Sequence, residues 1–229
     1  MKILIQLLVA LIMAFLLESC CDTEYFGEQG NKLFYETRSA NNSLDGTLEY
    51  LRQTRLGGAL WWAATERLRM SSDLMLSITF RKGKWLNLQS MVYEGNGFIY
   101  YNFDNENSYE FGQLAIHELF HIYQNGRIPL RILNNEIEAY LVQYIFLVSE
   151  NEKNKFQAAT LELTKCIINL AACINLNSGN IISDKYEECY WAAMRALKKH
   201  HSYQDTDEVK WKEIPSSDMS NLRDFLQNL

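Results

Sequence analysis

The 229-residue chain has only 2 prolines, 11 glycines, no low-complexity tract and no internal repeat. A long disordered linker or a solenoid is therefore not expected. Its 22 Lys and Arg are outnumbered by 28 Asp and Glu, giving a net charge of −6, and no basic block interrupts that balance. Nucleic-acid binding needs a basic stripe and is argued against. Histidine is scarce, with 4 in all, and the 5 cysteines show no spacing that resembles a zinc site. Cys20 and Cys21 belong to the N-terminal region. Cys166 and Cys173, on one expected helix, would stand about 10 Å apart, too far to bond each other. Either could reach Cys189 across helices in an oxidising compartment; three small buried hydrophobes are the alternative.

The long apolar run is N-terminal: Met1-Lys2 precedes Ile3 to Leu17, broken only by Gln6. One positive charge followed by about fifteen apolar residues reads as a secretory signal, somewhat short for a membrane span. The run ends Leu17-Glu18-Ser19-Cys20, which resembles the bacterial lipobox; Leu17, Ser19 and Cys20 match, and Glu18 is an unusual filler. The resemblance implies a lipoprotein signal peptide over 1–19 and a mature chain lipidated at Cys20. Several acyl chains there would make a stable membrane anchor. Asp22 and Glu24 follow the anchor, which implies the bacterial outer membrane or cell surface, with the periplasmic face also open. An ordinary signal peptide or an uncleaved anchor is the alternative.

Residues 117–121 read His-Glu-Leu-Phe-His, an HExxH pattern. On a helix, residues four apart share a face, so His117 and His121 can aim both imidazoles at one metal ion. Glu118 is turned about a quarter of the way round, where it can bond a water without binding the metal. Two histidines on a solvated face are the bland alternative. Helix signals surround the run. Asn107 and Ser108 are cap types, Glu110 suits the first turn, and Tyr109 to Gln124 lacks proline. Gly126 and Pro129 mark the stop, while Phe111, Leu114, Ala115, Leu119, Ile122 and Tyr123 recur at helical spacing. Upstream, Gly97 to Asn102 reads as an aromatic-rich strand.

A loop over 126–134 leads into Asn134-Asn135-Glu136-Ile137-Glu138-Ala139-Tyr140, the start of a second expected helix running to about Glu150 and capped by Asn134 or Asn135. Arg127 stands where the long metzincin pattern would have a third His. Together the two segments resemble the gluzincin group of zinc metallopeptidases, in which a Glu on a following helix completes the site. Glu136 and Ala139 match that pattern; Tyr140 stands where an Asp or Asn normally orients a ligand His. The resemblance implies one Zn2+ held by His117, His121 and Glu136, with catalytic Glu118 activating water. Glu138 competes with Glu136, but the two lie about 200° apart around a helix, so only one can face the ion. Tyr140 and Tyr123 are candidate outer partners or transition-state donors, and Tyr190, His200 and His201 are candidate donors too. The family also implies a strand walling the cleft, where an extended peptide or protein substrate pairs. Two other classes remain open: a non-catalytic zinc-binding or structural lipoprotein, and a zinc amidase acting on cell-wall peptides.

The expected fold class is α+β, zincin-like: a small antiparallel sheet, the HExxH helix and a mostly helical C-terminal lobe. A helix is expected over 44–70, strands over 74–81, 85–93 and 97–102 with turns at 81–84 and 94–97, and helices over 154–174, 184–200 and 217–228. Residues 20–229 would form a single domain, with an upper α/β lobe over about 44–125 and a helical lower lobe over about 130–229. Ala139 to Val148 is apolar all round and must be buried.

Overall fold

Two helices lead into the sheet, α1 (Leu44–Gln53) and α2 (Arg55–Met70), in the computed structural model. It describes residues 44–229 except 71–75, 85, 88, 105, 107–108 and 207–209. The signal segment, Cys20, Cys21 and the expected caps Asn107 and Ser108 lie outside the described residues. The single helix expected over 44–70 is broken at Thr54. Its hydroxyl donates to the Leu51 carbonyl at 2.8 Å and accepts from the Gly57 N–H at 3.1 Å. A threonine that satisfies free groups of both helices makes a joint where composition alone suggests continuity.

Seven α-helices and one three-stranded sheet are described, so the chain is α+β. The strands are β1 (Thr79–Lys82), β2 (Ser90–Tyr93) and β3 (Phe98–Asn102). The expected antiparallel sheet is corrected to a mixed one: β3 lies between its neighbours, parallel to β1 and antiparallel to β2. The Arg81–Lys84 stretch is therefore no hairpin turn. Arg81 and Lys82 are exposed on an edge strand, a place charge suits, whereas β3 turns Ile99 and Tyr101 inward and fills the middle. Between β2 and β3 the turn is as expected, with Gly95, Asn96 and Gly97 all at positive φ. A Cβ on Gly97 would stand 2.5 Å from the Ser77 carbonyl, so the close approach requires glycine.

The HExxH run lies on α3 (Tyr109–Asn125), and Gly126 ends it at φ 63° with its N–H on the Ile122 carbonyl. Phe111 fixes α3 to the sheet; its ring meets Tyr101 and Phe103 edge-on at 5.3 Å and Phe80 at 6.1 Å. Phe111→Ala is expected to destabilise the fold by about 3–5 kcal/mol in urea unfolding, because a fully buried ring leaves a cavity.

Next comes α4 (Leu133–Ser149), of which fourteen of seventeen residues are buried. Its start corrects the expected cap: Asn134 and Asn135 sit inside the helix, and Ile132 caps it without a side-chain bond. The Lys212 carbonyl does that work instead, accepting the Leu133 N–H at 2.8 Å. Asn134 is then free to bind the Ile214 N–H at 2.7 Å and the Ser216 carbonyl at 2.9 Å, pinning the 214–216 segment to α4. Around α4 pack α5 (Leu161–Ala171), α6 (Tyr186–Lys199) and α7 (Ser220–Gln227). The helix expected over 154–174 is shortened because Thr160 caps Leu163 at 3.1 Å. Cys173 thus lies past its end, with its sulfur 3.6 Å from that of Cys189. No helix among the described residues is long and apolar enough to cross a membrane.

Candidate metal centre

Helices α3 and α4 pack directly on each other, and at their contact His117, His121 and Glu136 converge. One ligand atom from each lies within 4.8 Å of the others, and all three residues are buried. His117 Nε2 stands 3.4 Å from one Glu136 oxygen, and His121 Nε2 stands 3.3 Å from the other. Ligands held at about 2.1 Å from a tetrahedral zinc are about 3.4 Å apart, so the spacing fits an ion between them. Two imidazoles and one carboxylate also suit ferrous iron and other first-row ions.

Electrostatics favour the same grouping. Burial would raise the Glu136 carboxyl, but the two histidines outweigh it and hold it well below the usual carboxylate range. Burial lowers His121, yet the Glu136 charge and hydrogen bond drive it up to about 9. In the metal-free protein His121 is therefore protonated at neutral pH. This raised-value contribution is fully present below the ordinary histidine value of 6.5 and is lost as pH rises through about 9. An incoming ion must expel that proton. Metal affinity is expected to rise about tenfold per pH unit from pH 7 toward 9, measured by chelator competition, with one proton released per ion bound.

Glu138 points elsewhere. Its carboxylate accepts from Gln124 and Asn221 side chains at 2.8 Å each and from the Leu222 N–H at 3.3 Å. Burial lifts it to about 7 against those hydrogen bonds. It supplies no ligand atom to the histidine cluster.

Glu118 is buried beside the cluster, and one of its oxygens accepts the Tyr93 N–H of β2 at 2.8 Å. Burial raises its carboxyl, and the nearby histidines lower it only in part. The hairpin that carries Tyr93 is clamped to the end of α3. The Tyr93 hydroxyl donates to the Gly126 carbonyl, and the Asn96 N–H donates to the Arg127 carbonyl at 2.8 Å.

Two cavities flank His117 and Glu118, of 310 Å³ and 340 Å³. Ser90 and Met91 of β2 line both, so the strand over the cleft is β2. This corrects the expectation that the 97–102 strand forms the wall: β3 is paired on both sides, and β2 is the edge strand that faces the cleft.

The expected donors are scattered. Tyr123 packs between Phe120 and Phe225 and lines neither cavity; two residues past His121, it lies on the far face of α3. Tyr190 is buried against Asn134, away from the cluster. His200 lines the second cavity, and His201 is exposed. Tyr140 sets its ring edge-on to His117, centroids 4.6 Å apart, while its hydroxyl meets Tyr203 at 2.8 Å. It makes no hydrogen bond to either histidine.

Two residues were missed. Tyr203, in a short turn after α6, lines both cavities. Burial keeps its hydroxyl protonated, well above the usual tyrosine range. Gln124 accepts from His121 Nδ1 at 2.9 Å. The i, i+3 spacing from His121 was the one available signal for Gln124; Tyr203 had none beyond its place beside His200-His201. No protein-family model, curated protein or solved structure matches the chain.

Proposed function

We propose that this protein is a zinc-dependent hydrolase of peptide bonds with a zincin-like site. The observation that carries the proposal is the meeting of His117, His121 and Glu136 from two helices with Glu118 buried beside them. His117, His121 and Glu136 would hold the ion. When bound, zinc supplies Lewis acidity, polarising the scissile carbonyl and acidifying the attacking water.

Glu118 takes the proton from that water and passes it to the leaving amine. One of its oxygens is anchored by the Tyr93 N–H, and the other has no hydrogen-bond partner among the described residues. Burial raises its carboxyl above the ordinary glutamate range, which makes the carboxylate a stronger base toward that proton. Tyr203, protonated and positioned by Tyr140, donates to the developing oxyanion. The free edge of β2 pairs with an extended substrate. Lipid anchoring at Cys20, in the envelope of a bacterium, belongs to the same proposal and rests on the lipobox resemblance alone.

The test is hydrolysis of a quenched peptide library beside purified cell-wall peptides, with and without chelator. Chelator-sensitive cleavage of extended peptides, restored by zinc, supports the reading. Cleavage of wall peptides alone makes the protein an amidase, and no cleavage of either leaves a zinc-binding lipoprotein.

A further inference from the structure

The metal cluster treats its two histidines differently. His117 Nδ1 is buried and has no hydrogen-bond partner among the described residues. His121 Nδ1 is held at 2.9 Å by Gln124 Oε1. The orientation of that amide is fixed by its other end. Gln124 Nε2 donates to the Asn135 carbonyl at 3.0 Å and to Glu138 at 2.8 Å. Both partners accept, so the NH2 must face them and the oxygen must face His121. When His121 gives up its second proton to an incoming ion, the proton it keeps is then the one on Nδ1, and the Nε2 lone pair is left for the metal.

Behind Gln124 stands a second tier. Glu138 is buried, and it receives Asn221 Nδ2 at 2.8 Å and the Leu222 N–H at 3.3 Å, both from α7. The C-terminal helix is thereby tied to the metal cluster through Glu138, Gln124 and His121.

We infer that Gln124 is a positioning residue that locks His121 in its metal-ready tautomer, and that Glu138, held by α7, aims Gln124. This rests on the zinc reading above. It also gives Glu138 a task that neither a ligand nor a helix-terminal charge would supply. Outer partners of this kind change metal affinity by about 10–100-fold.

The test measures zinc dissociation constants of the full protein by chelator competition, alongside 15N NMR of the zinc-loaded histidines. Gln124→Met keeps the length of the side chain and removes its hydrogen bonds. It is expected to weaken zinc binding about 10–100-fold and to shift the His121 Nδ1 signal while leaving His117 unchanged. A residue that merely supported the fold would lower the melting midpoint and leave the affinity of the folded protein alone. Glu138→Gln keeps an acceptor for Gln124 and should hold near-parental affinity, whereas Glu138→Leu should lose as much as Gln124→Met. These two variants decide the matter if Gln124→Met fails to fold. Parental affinity in Gln124→Met or Glu138→Leu overturns the inference and leaves the zinc reading intact. No zinc in the parent overturns both.

A separate observation concerns the thiols. Cys173, just past α5, and Cys189 on α6 have sulfurs 3.6 Å apart, and Cys166 makes no such contact. We propose that Cys173 and Cys189 form a disulfide by exchange with a small-molecule disulfide. Cys189, the more exposed, attacks as thiolate and releases one thiol; Cys173 then attacks the mixed disulfide and releases the second. Peptide mapping after incubation with oxidised glutathione should show the 173–189 cross-link and an alkylatable Cys166. A stable glutathione adduct on Cys189, or Cys173 and Cys189 both still alkylatable, would overturn it.

Discussion

Glu118→Gln is expected to bind zinc as the parent does and to hydrolyse substrate about 10²–10⁴-fold more slowly. The amide has the carboxylate's shape, and its oxygen can still accept the Tyr93 N–H that anchors Glu118. What it loses is the ability to take a proton. The proposed metal ligands are other side chains, so affinity and activity should separate cleanly. The two are read on the same samples, as kcat/KM and zinc stoichiometry. A variant that keeps its activity to within tenfold would assign the proton transfer to another group. The parent's pH profile follows from the same residue: kcat/KM should fall on the acidic side through a value above that of an ordinary glutamate, since burial raises the Glu118 carboxyl.

Glu136→Ala is expected to abolish stoichiometric zinc binding, and activity with it. Two imidazoles would remain, one ligand short of the three that a catalytic zinc site needs. The same change removes the charge that drives His121 up to about 9, so its value should drop sharply. Histidine NMR titration of the metal-free variant reads that drop directly. Because His121 can shed its proton, the variant should remain folded near neutral pH. A variant that keeps both zinc and the raised His121 would contradict the ligand set. Glu138→Ala should still load zinc at high concentration, because Glu138 lies outside the cluster.

The cluster was legible where helical periodicity speaks. Spacing of four puts His117 and His121 on one face, and the apolar run after Ala139 demands a buried helix; both hold in the structure. The choice of Glu136 over Glu138 rested on a family pattern, and the structure places Glu136 with the histidines. What was not legible depends on pairing between distant segments. Placing β3 between β1 and β2 leaves little local mark, because each strand is only four or five residues long; the exposed Arg81 and Lys82 of β1 suit an edge but do not name its partner. The start of α4 was misread because a backbone carbonyl from Lys212 replaces the side-chain cap. Tyr203 reaches the cleft only through the fold of the 201–203 turn, 63 residues beyond the Tyr140 it touches.

The most direct test is X-ray absorption at the zinc edge on the full protein loaded with zinc. The expected spectrum shows two imidazoles and oxygen donors at about 2.0–2.2 Å, with no sulfur shell. Failure to retain zinc, or a sulfur shell from the cysteines, would contradict a centre built from His117, His121 and Glu136.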